Sequence, residues 1–210
     1  MTRVILVDDH ALVRRGIRLT LEDHSEIEVV GEAGDYGELR ALLPHCRYDV
    51  IVMDINMPGK NGIDILKAIR EDDPKCKVLI LSMFTEDQYA VRSLRAGAFG
   101  YLNKTSAPEM LIEAIIRIAS GKKFITPEIA EAMANSLTAD VDDNPHEKLS
   151  DREFQTLRLI ASGKKLSEVA EALAISPKTV SVYRARLLEK MGLSNNAELT
   201  HYALKNGLVE

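Results

Sequence analysis

The chain has 210 residues, of which 46% are hydrophobic and 28% are charged, and its formal net charge is −5. This length suits one or two domains, and the composition is that of a globular protein rather than a disordered or fibrous one. No apolar run approaches the length of a membrane span, and the N-terminus lacks the basic-then-apolar pattern of a signal segment. We therefore expect a cytoplasmic protein with a sizeable hydrophobic core.

The cysteines and histidines show no metal-binding or disulfide pattern. Cys46 and Cys76 form no CxxC pair, so we expect them to be small buried residues in a reducing compartment. The histidines have no ligand spacing, which argues against a zinc site. They are His10, His24, His45, His146 and His201.

The charge is unevenly distributed along the chain. Residues 1–147 hold 17 Lys and Arg against 25 Asp and Glu, a net of −8, whereas residues 148–210 hold 10 against 7, a net of +3. This asymmetry fits a C-terminal part that meets a polyanion. So small an excess also arises by chance, and charge alone does not decide between the two.

Short apolar strands alternate with amphipathic helices over the first 120 residues. The predicted strands are 4–7, 29–33, 50–53, 77–81 and 100–104. The predicted helices are 11–21, 36–43, a third with apolar positions from Ile63 to Ile69 that stops before Pro74, 86–96 and 107–120. Strict alternation with apolar strands favours a doubly wound parallel sheet. We predict a flavodoxin-like (βα)5 fold with strand order 2-1-3-4-5 and a site at the switch point between strands 1 and 3.

The pattern changes after residue 122. One more helix is predicted at 127–137, and the polar, acidic stretch 138–147 is a linker that we expect to be mobile. Only helices follow, at 150–162, 166–174, 177–191 and 195–205. The sequence thus predicts a first domain at 1–122, an extra helix and linker at 123–147, and a small all-α domain at 148–210.

An acidic pocket is predicted where the strands of the first domain end. Asp54 follows the apolar run 50–53, and Asp8 and Asp9 follow the first strand. Three converging carboxylates repel one another unless a cation lies between them, and Mg²⁺ accepts few carboxylates together with water and a phosphate. A carboxylate can also act as a nucleophile and form an aspartyl-phosphate. Lys104 and Ser82, at the ends of two further strands, supply a cation and a hydroxyl for a phosphoryl group.

Each of these residues has a simpler interpretation when it is taken alone. Asp8 and Asp9 could cap the first helix, Lys104 could be a solvated surface lysine, and Ser82 could be a turn serine. Their combination, each at the end of its own strand, is far more specific than any single residue.

Four segments together resemble a bacterial response-regulator receiver domain over about residues 1–122. They are Ile5-Leu6-Val7-Asp8-Asp9-His10, Asp54-Ile55-Asn56-Met57-Pro58-Gly59-Lys60-Asn61-Gly62, Leu81-Ser82 and Gly100-Tyr101-Leu102-Asn103-Lys104. The resemblance implies that Asp54 accepts phosphate from a histidine kinase or a small phosphodonor. It also implies that Asp9, Asp54 and the backbone carbonyl of Asn56 bind Mg²⁺, with Asp8 completing the metal site mostly through water.

The same resemblance implies a switch pair formed by Ser82 and Tyr101, in which the hydroxyl moves toward the phosphoryl group and the ring turns inward. An ordinary edge-strand aromatic is the alternative for Tyr101. One departure is that Lys104 is followed by Thr105, where many receivers have proline. A cis peptide bond is therefore not expected there.

The segment 167–180 has the pattern of a helix, a tight turn and a second helix. Val169, Ala170 and Leu173 are predicted to pack inward, and Ser176-Pro177 caps the second helix with proline in its first turn. The apolar stripe of that helix is Val180, Leu187, Leu188 and Met191. On the opposite face, the residues small enough to approach base edges are Ser181, Val182 and Ala185, and those placed for phosphates are Lys178, Thr179, Tyr183 and Arg186.

Arg184 lies at the boundary of the two faces and is left unassigned. A bundle helix with a solvated basic face would show the same pattern.

The segments 149–153, 160–164, 169–173 and 175–184 resemble the LuxR-type helix-turn-helix, so the chain as a whole resembles a NarL/FixJ-family response regulator. The segment 179–190 is most similar to the GacA and BvgA branch. Relatives often dimerise through the fourth helix, here 195–205, which makes Leu199, Ala203 and Leu204 the candidate dimer contacts.

The sequence therefore predicts a phosphorylation-activated transcription regulator of a two-component system, dimeric when phosphorylated. Its expected partners are a sensor histidine kinase, double-stranded promoter DNA and RNA polymerase. It would be no enzyme beyond Mg²⁺-dependent self-phosphorylation and autodephosphorylation.

Two other functions share parts of this pattern. A phosphohydrolase of the haloacid-dehalogenase type also uses an aspartyl nucleophile, but Asn56 stands where that family has its second acid. A phosphate-independent DNA-binding protein would not need the complete acidic pocket.

Overall fold

The computed structural model describes residues 1–57, 59–83, 86–138 and 145–209, and it divides into two compact units, 1–137 and 138–210. Pro58 of the predicted turn and residues 139–144 of the predicted linker lie outside the described ranges. Within those ranges no helix has the length and apolar character needed to cross a membrane. No described peptide bond is cis.

The first unit is built on a five-stranded parallel sheet. Its strands are β1 (Thr2–Val7), β2 (Ile27–Ala33), β3 (Val50–Asp54), β4 (Val78–Ser82) and β5 (Gly100–Asn103). They lie in the order β2-β1-β3-β4-β5, which confirms the predicted topology. β2 begins two residues earlier than predicted, because it is an edge strand whose solvated Glu28 interrupts the apolar pattern.

Six helices follow the strands of this unit. They are α1 (Ala11–Glu22), α2 (Tyr36–Leu42), α3 (Gly62–Asp72), α4 (Glu86–Arg95), α5 (Pro108–Ala119) and α6 (Pro127–Thr138). The core beneath α1 and α5 contains Leu6, Val52 and Ile115 among its buried side chains. The segment before α6 is tied to the sheet, because Phe124 donates its backbone N–H to the carbonyl of Phe99 at 2.8 Å.

The register of the sheet brings the predicted site residues to one edge. Val7 pairs with Met53, Asp54 with Leu81, and Ser82 with Asn103. Since all the strands are parallel, their carboxyl ends lie side by side, where a doubly wound sheet places its ligands. A side chain at Gly62 would put its Cβ 2.3 Å from the backbone oxygen of Asp54, so only glycine lets α3 begin this close to the end of β3.

The second unit is helical. It contains a short 3₁₀ helix (Pro145–Lys148) and then α7 (Asp151–Ala161), α8 (Leu166–Ala172), α9 (Pro177–Met191) and α10 (Asn196–Lys205). α7 packs against α9 and α10, and α8 packs against α9. The predicted capping box is present, with Ser150 and Glu153 exchanging side-chain-to-backbone hydrogen bonds at the start of α7.

The turn between α8 and α9 has the predicted cap. Ser176 accepts a hydrogen bond from the backbone N–H of Thr179, and Pro177 lies in the first turn of α9. Within the turn, Ala174 has a positive φ of 51°, and it is the only described residue other than glycine that does.

Candidate functional site

Three carboxylates meet at the carboxyl ends of β1 and β3. Asp8 and Asp9 follow β1, Asp54 ends β3, and one side-chain ligand atom from each lies within 4.8 Å of the others, together with one from His10. Asp8 and Asp54 are each only 3% exposed, whereas the Asp9 side chain is 29% exposed. The structure therefore brings together all three predicted acids, with Asp9 at the solvent side.

Lys104 lies inside this cluster. Its Nζ is 2.6 Å from Asp8 Oδ2 and 2.8 Å from Asp54 Oδ2, and its side chain is only 9% exposed. Burial by itself would lower the pKa of Lys104, but the Asp54 and Asp8 carboxylates raise it above its ordinary value. Lys104 is thus a buried cation shared by two acids, and the alternative of a solvated surface lysine is excluded.

One carboxylate oxygen of Asp54 has a partner and the other has none among the described residues. Lys104 takes Oδ2, whereas Oδ1 is buried and has no hydrogen-bond partner among the described residues. Burial raises the pKa of the Asp54 carboxyl, and the nearby Lys104 ammonium opposes that rise. A buried carboxylate oxygen without a partner is costly, so its presence here fits an atom reserved for a ligand or a reaction.

Asp8, by contrast, has both carboxylate oxygens engaged. Oδ1 accepts the backbone N–H of His10 at 2.8 Å, and Oδ2 accepts from Lys104. The N-cap of α1 is His10, and its side chain makes no capping hydrogen bond. The helix-capping alternative for Asp8 and Asp9 is therefore not what the structure has.

The sequence reasoning missed His10. Its Nδ1 lies 2.7 Å from Asp9 Oδ1 and 3.4 Å from Asp8 Oδ1, although its side chain is 65% exposed. Its spacing from the other histidines gives no ligand pattern, because its partners are the two acids immediately before it. Its position next to the predicted acids was the available signal. The imidazole can orient the Asp9 carboxylate from the solvent side.

The donor set fits a hard divalent cation. Asp54 Oδ1 is buried without a hydrogen-bond partner among the described residues, and a ligand atom of Asp9 lies within 4.8 Å of one of Asp54. All the side-chain donors except His10 are oxygen atoms, the ligands that Mg²⁺ prefers. Asn56, whose backbone carbonyl is a predicted ligand, is half-buried just beyond β3.

Ser82 and Tyr101 are both completely buried. Ser82 is the last residue of β4 and is 0% exposed, at the same sheet edge as Asp54. Tyr101 on β5 is also 0% exposed, so its ring is directed inward rather than covering the edge of the sheet from solvent. The position of Ser82 suits a hydroxyl that approaches Asp54.

A second candidate surface lies on α9. The predicted buried stripe is confirmed, with Val180 and Leu187 completely buried and Leu188 and Met191 at 8% exposure. The opposite face carries the residues predicted for DNA contacts. Lys178, Ser181, Val182, Ala185 and Arg186 are exposed, and Thr179 and Tyr183 are half-buried.

Arg184 has an internal partner. Its Nε donates to Asn196 Oδ1 at 2.6 Å and so links α9 to α10. The contact explains why the position fits neither face of the helix.

Two of the three predicted dimer contacts must be corrected. Leu199 and Ala203 are 0% exposed, because their face of α10 packs against α7 in the core of the unit. Neither can contact a partner while this fold is kept. Leu204 is 52% exposed and is the remaining candidate.

Comparison with known proteins finds two family models that together cover both units. Residues 4–116 match the response regulator receiver domain, and residues 147–203 match the bacterial regulatory proteins of the luxR family.

Relatives match the chain over nearly its whole length. The response regulator UvrY of Escherichia coli K12 is 41% identical over 99% of this chain and 96% of its own. The response regulator GacA of Pseudomonas aeruginosa is 35% identical over 100% of this chain and 99% of its own. The structure of RcsB from Salmonella enterica serovar Typhimurium, bound to promoter P1flhDC with the phosphomimetic BeF3⁻, superposes with a TM-score of 0.65 at 29% identity, covering 96% of this chain and 97% of that one.

Proposed function

The chain belongs to the response regulators that join a receiver domain to a LuxR-type DNA-binding domain, and from that premise we propose that phosphorylation of Asp54 switches its binding to promoter DNA. The observation that carries the proposal is the open, buried Oδ1 of Asp54 beside an otherwise fully paired Asp8 and Lys104. Of the four carboxylate oxygens of Asp8 and Asp54, it is the one without a hydrogen-bond partner among the described residues.

The transfer proceeds by attack of Asp54 Oδ1 on the phosphorus of a phosphohistidine or of acetyl phosphate. A P–O bond to Asp54 forms as the P–N or P–O bond of the donor breaks, and the leaving group keeps that electron pair. Asp9, Asp54 and the backbone carbonyl of Asn56 would hold Mg²⁺, which would supply positive charge to neutralise the incoming phosphoryl oxygens. Lys104, already 2.8 Å from Asp54, is placed to pair with one of those oxygens.

The switch follows from what the new group contacts. The Ser82 hydroxyl moves toward the phosphoryl group and donates a hydrogen bond to one of its oxygens. The Tyr101 ring, which is buried, occupies the inward position that accompanies the movement of Ser82. Phosphoryl contacts therefore favour one of two arrangements of the receiver, as expected for a population shift.

The output is DNA binding by α9. Lys178 and Arg186, both exposed, contact phosphates together with Thr179 and Tyr183, while Ser181, Val182 and Ala185 approach base edges in the major groove. A histidine kinase is the proposed phosphodonor and RNA polymerase the proposed further partner at the promoter. The active species is a homodimer, with Leu204 on α10 in its contact.

Intact-mass spectrometry tests the phosphoacceptor. Incubation with acetyl phosphate and Mg²⁺ should add one phosphate to the protein, and Asp54→Asn should abolish the addition because the nucleophilic oxygen is gone. Asp72→Asn, an exposed acid at the end of α3, is the matched control and should be labelled like the native chain. Equal labelling of Asp54→Asn and the native chain would refute the proposal.

The phosphohydrolase alternative lacks a proton donor, since Asn56 stands two residues after Asp54, at the position where that chemistry needs a second acid.

A phosphate-independent DNA-binding protein makes a prediction that differs from that of the phosphorylation switch. It requires DNA affinity that is the same with and without beryllofluoride.

A further inference from the structure

Arg14 on α1 contacts the acidic pocket without contacting any of its carboxylates. Its Nη1 donates to the backbone carbonyl of Asp8, and its Nε donates to Glu32 Oε2 on β2 at 3.1 Å. Arg18, one turn further along α1, donates to the other oxygen of Glu32 at 3.1 Å. Glu32 is thereby held between two arginines, with Oε2 directed at Arg14.

Two hydrogen bonds, one to each side of Asp8, fix the main chain there. The N–H of Asp8 donates to the carbonyl of Ala33 at 3.1 Å, which fixes the peptide plane before it. The carbonyl of Asp8 is in the same planar unit as the N–H of Asp9, so the Arg14 contact fixes the plane after it. With that plane fixed, the direction in which the Asp9 side chain leaves the main chain depends only on its own φ and χ angles.

The position of Asp9 needs such support. Unlike Asp8 and Asp54, it lies at the solvent side of the site and has no ion pair with Lys104 in the described ranges. Its side-chain partner is His10, at 2.7 Å, whose own side chain is 65% exposed. An arginine suits the supporting position because its planar fork can donate to two acceptors at once, here a carbonyl and a carboxylate. The guanidinium of Arg14 pairs with Glu32, an acid outside the pocket, rather than with Asp8, Asp9 or Asp54.

We propose that Arg14, held by Glu32, is a positioning residue that sets the Asp8–Asp9 peptide plane and thereby the affinity of the site for a divalent cation. The proposal rests on the function proposed above, because that function assigns Asp9 as a cation ligand. Removing a group that orients a metal ligand typically costs about tenfold or more in metal affinity. A comparable loss is expected when Arg14 is replaced.

Calorimetric titration of the full-length protein with Mg²⁺ is the primary test. Arg14→Gln should weaken Mg²⁺ binding by about tenfold, and Arg14→Lys should not restore it, because an ammonium on a flexible stem does not reproduce the fork. Arg15→Gln is the matched control, since Arg15 is the adjacent exposed arginine on α1. Its Mg²⁺ affinity should equal that of the native chain.

Labelling kinetics with acetyl phosphate distinguish positioning from a general loss of structure. In Arg14→Gln the Mg²⁺ concentration for half-maximal rate should rise by about tenfold, while the rate at saturating Mg²⁺ changes much less. A partly unfolded receiver would instead lose maximal rate. Glu32→Gln removes the partner of Arg14 and leaves Arg14 intact. If Glu32 acts through Arg14, the double variant Arg14→Gln/Glu32→Gln should bind Mg²⁺ no more weakly than Arg14→Gln alone.

Two results would overturn the inference. One is a native Mg²⁺ affinity in Arg14→Gln, and the other is a loss of Mg²⁺ affinity in the double variant that equals the sum of the losses in the two single variants. Failure of the proposed function gives a different result. In that case the native chain binds Mg²⁺ but is not labelled at Asp54, and the calorimetric comparison still decides the role of Arg14.

Discussion

At the residue scale, the site combines a satisfied acid with an unsatisfied one. Asp8 is bound at its N–H, its carbonyl and both carboxylate oxygens, and these contacts brace the loop after β1. Asp54 keeps one buried oxygen without a partner among the described residues. Burying this oxygen without a partner should lower the free energy of unfolding of the receiver, because a buried carboxylate is poorly solvated.

The pKa of Asp54 gives this cost a pH dependence. Its folded-state pKa lies above the ordinary value of 3.8, so the folded state binds the proton more tightly, and stability falls as pH rises through the folded pKa. Asp54→Asn, which is neutral at all pH values, should therefore raise the melting temperature of the receiver at pH 7. The gain should disappear below about pH 3.8, where native Asp54 is protonated.

Thermal unfolding of both proteins between pH 3 and pH 8 measures this difference, within the range where the fold survives. Asp72→Asn, exposed on α3, should show no comparable gain. A gain of the same size at both ends of the pH range would mean that ionisation of Asp54 is not its cause.

At the element scale, strand ends and helix starts position the chemistry. Gly62 lets α3 begin against the carbonyl of Asp54, and Asn61 caps the helix there by accepting from the N–H of Ile63. In the second unit, the turn after α8 orients α9. That turn depends on Ala174 in a left-handed conformation, which disfavours any residue with a Cβ.

Ala174→Gly should stabilise the second unit. A left-handed alanine costs roughly 1–2 kcal/mol, which glycine would avoid. The greater freedom of glycine in the unfolded chain offsets roughly 0.5–1 kcal/mol of this stabilisation. A net increase of about 0.5–1 kcal/mol in the free energy of unfolding is expected, measured by urea denaturation. Ala172→Gly, exposed in the last turn of α8, should lose stability, so an equal effect of the two variants would contradict the role given to the turn.

At the scale of the whole molecule, one helix-turn-helix contacts too few bases to be strongly specific. Two copies of α9 in successive major grooves on one face of DNA would lie about 34 Å apart. The operator should therefore be an inverted repeat with half-site centres about 10 base pairs apart. The exposed Leu204 on α10 is available for a contact between copies, whereas Leu199 and Ala203 are not.

Beryllofluoride should increase affinity for the two-site operator by more than affinity for a single half-site, because pairing contributes only when both sites are present. Titrations of both DNAs, with and without beryllofluoride, measure the two gains. Asp54→Asn is the control and should show neither gain. An equal gain on the half-site would place the switch within one subunit and remove dimerisation from the mechanism.

The sequence by itself determined the alternation of strands and helices, the strand order, the caps at Ser150 and Ser176, and the acids at the strand ends. These features are encoded locally, by hydrophobic periodicity and by turn and capping residues, so a linear reading finds them. The buried stripe of α9 was found in the same way. Asp54, Asp9 and Lys104 could be placed at one edge because parallel strands end on the same side.

Only the tertiary structure decided which of these side chains contact one another. Lys104 pairs with Asp8 across 96 positions of sequence, and Arg14 reaches the carbonyl of Asp8, an atom with no side-chain signature. Periodicity predicts that α10 has an apolar face, but packing against α7 decides that Leu199 is buried and Leu204 exposed. Such contacts depend on how whole elements meet, and that geometry is set by the packing of the complete core rather than by any local segment.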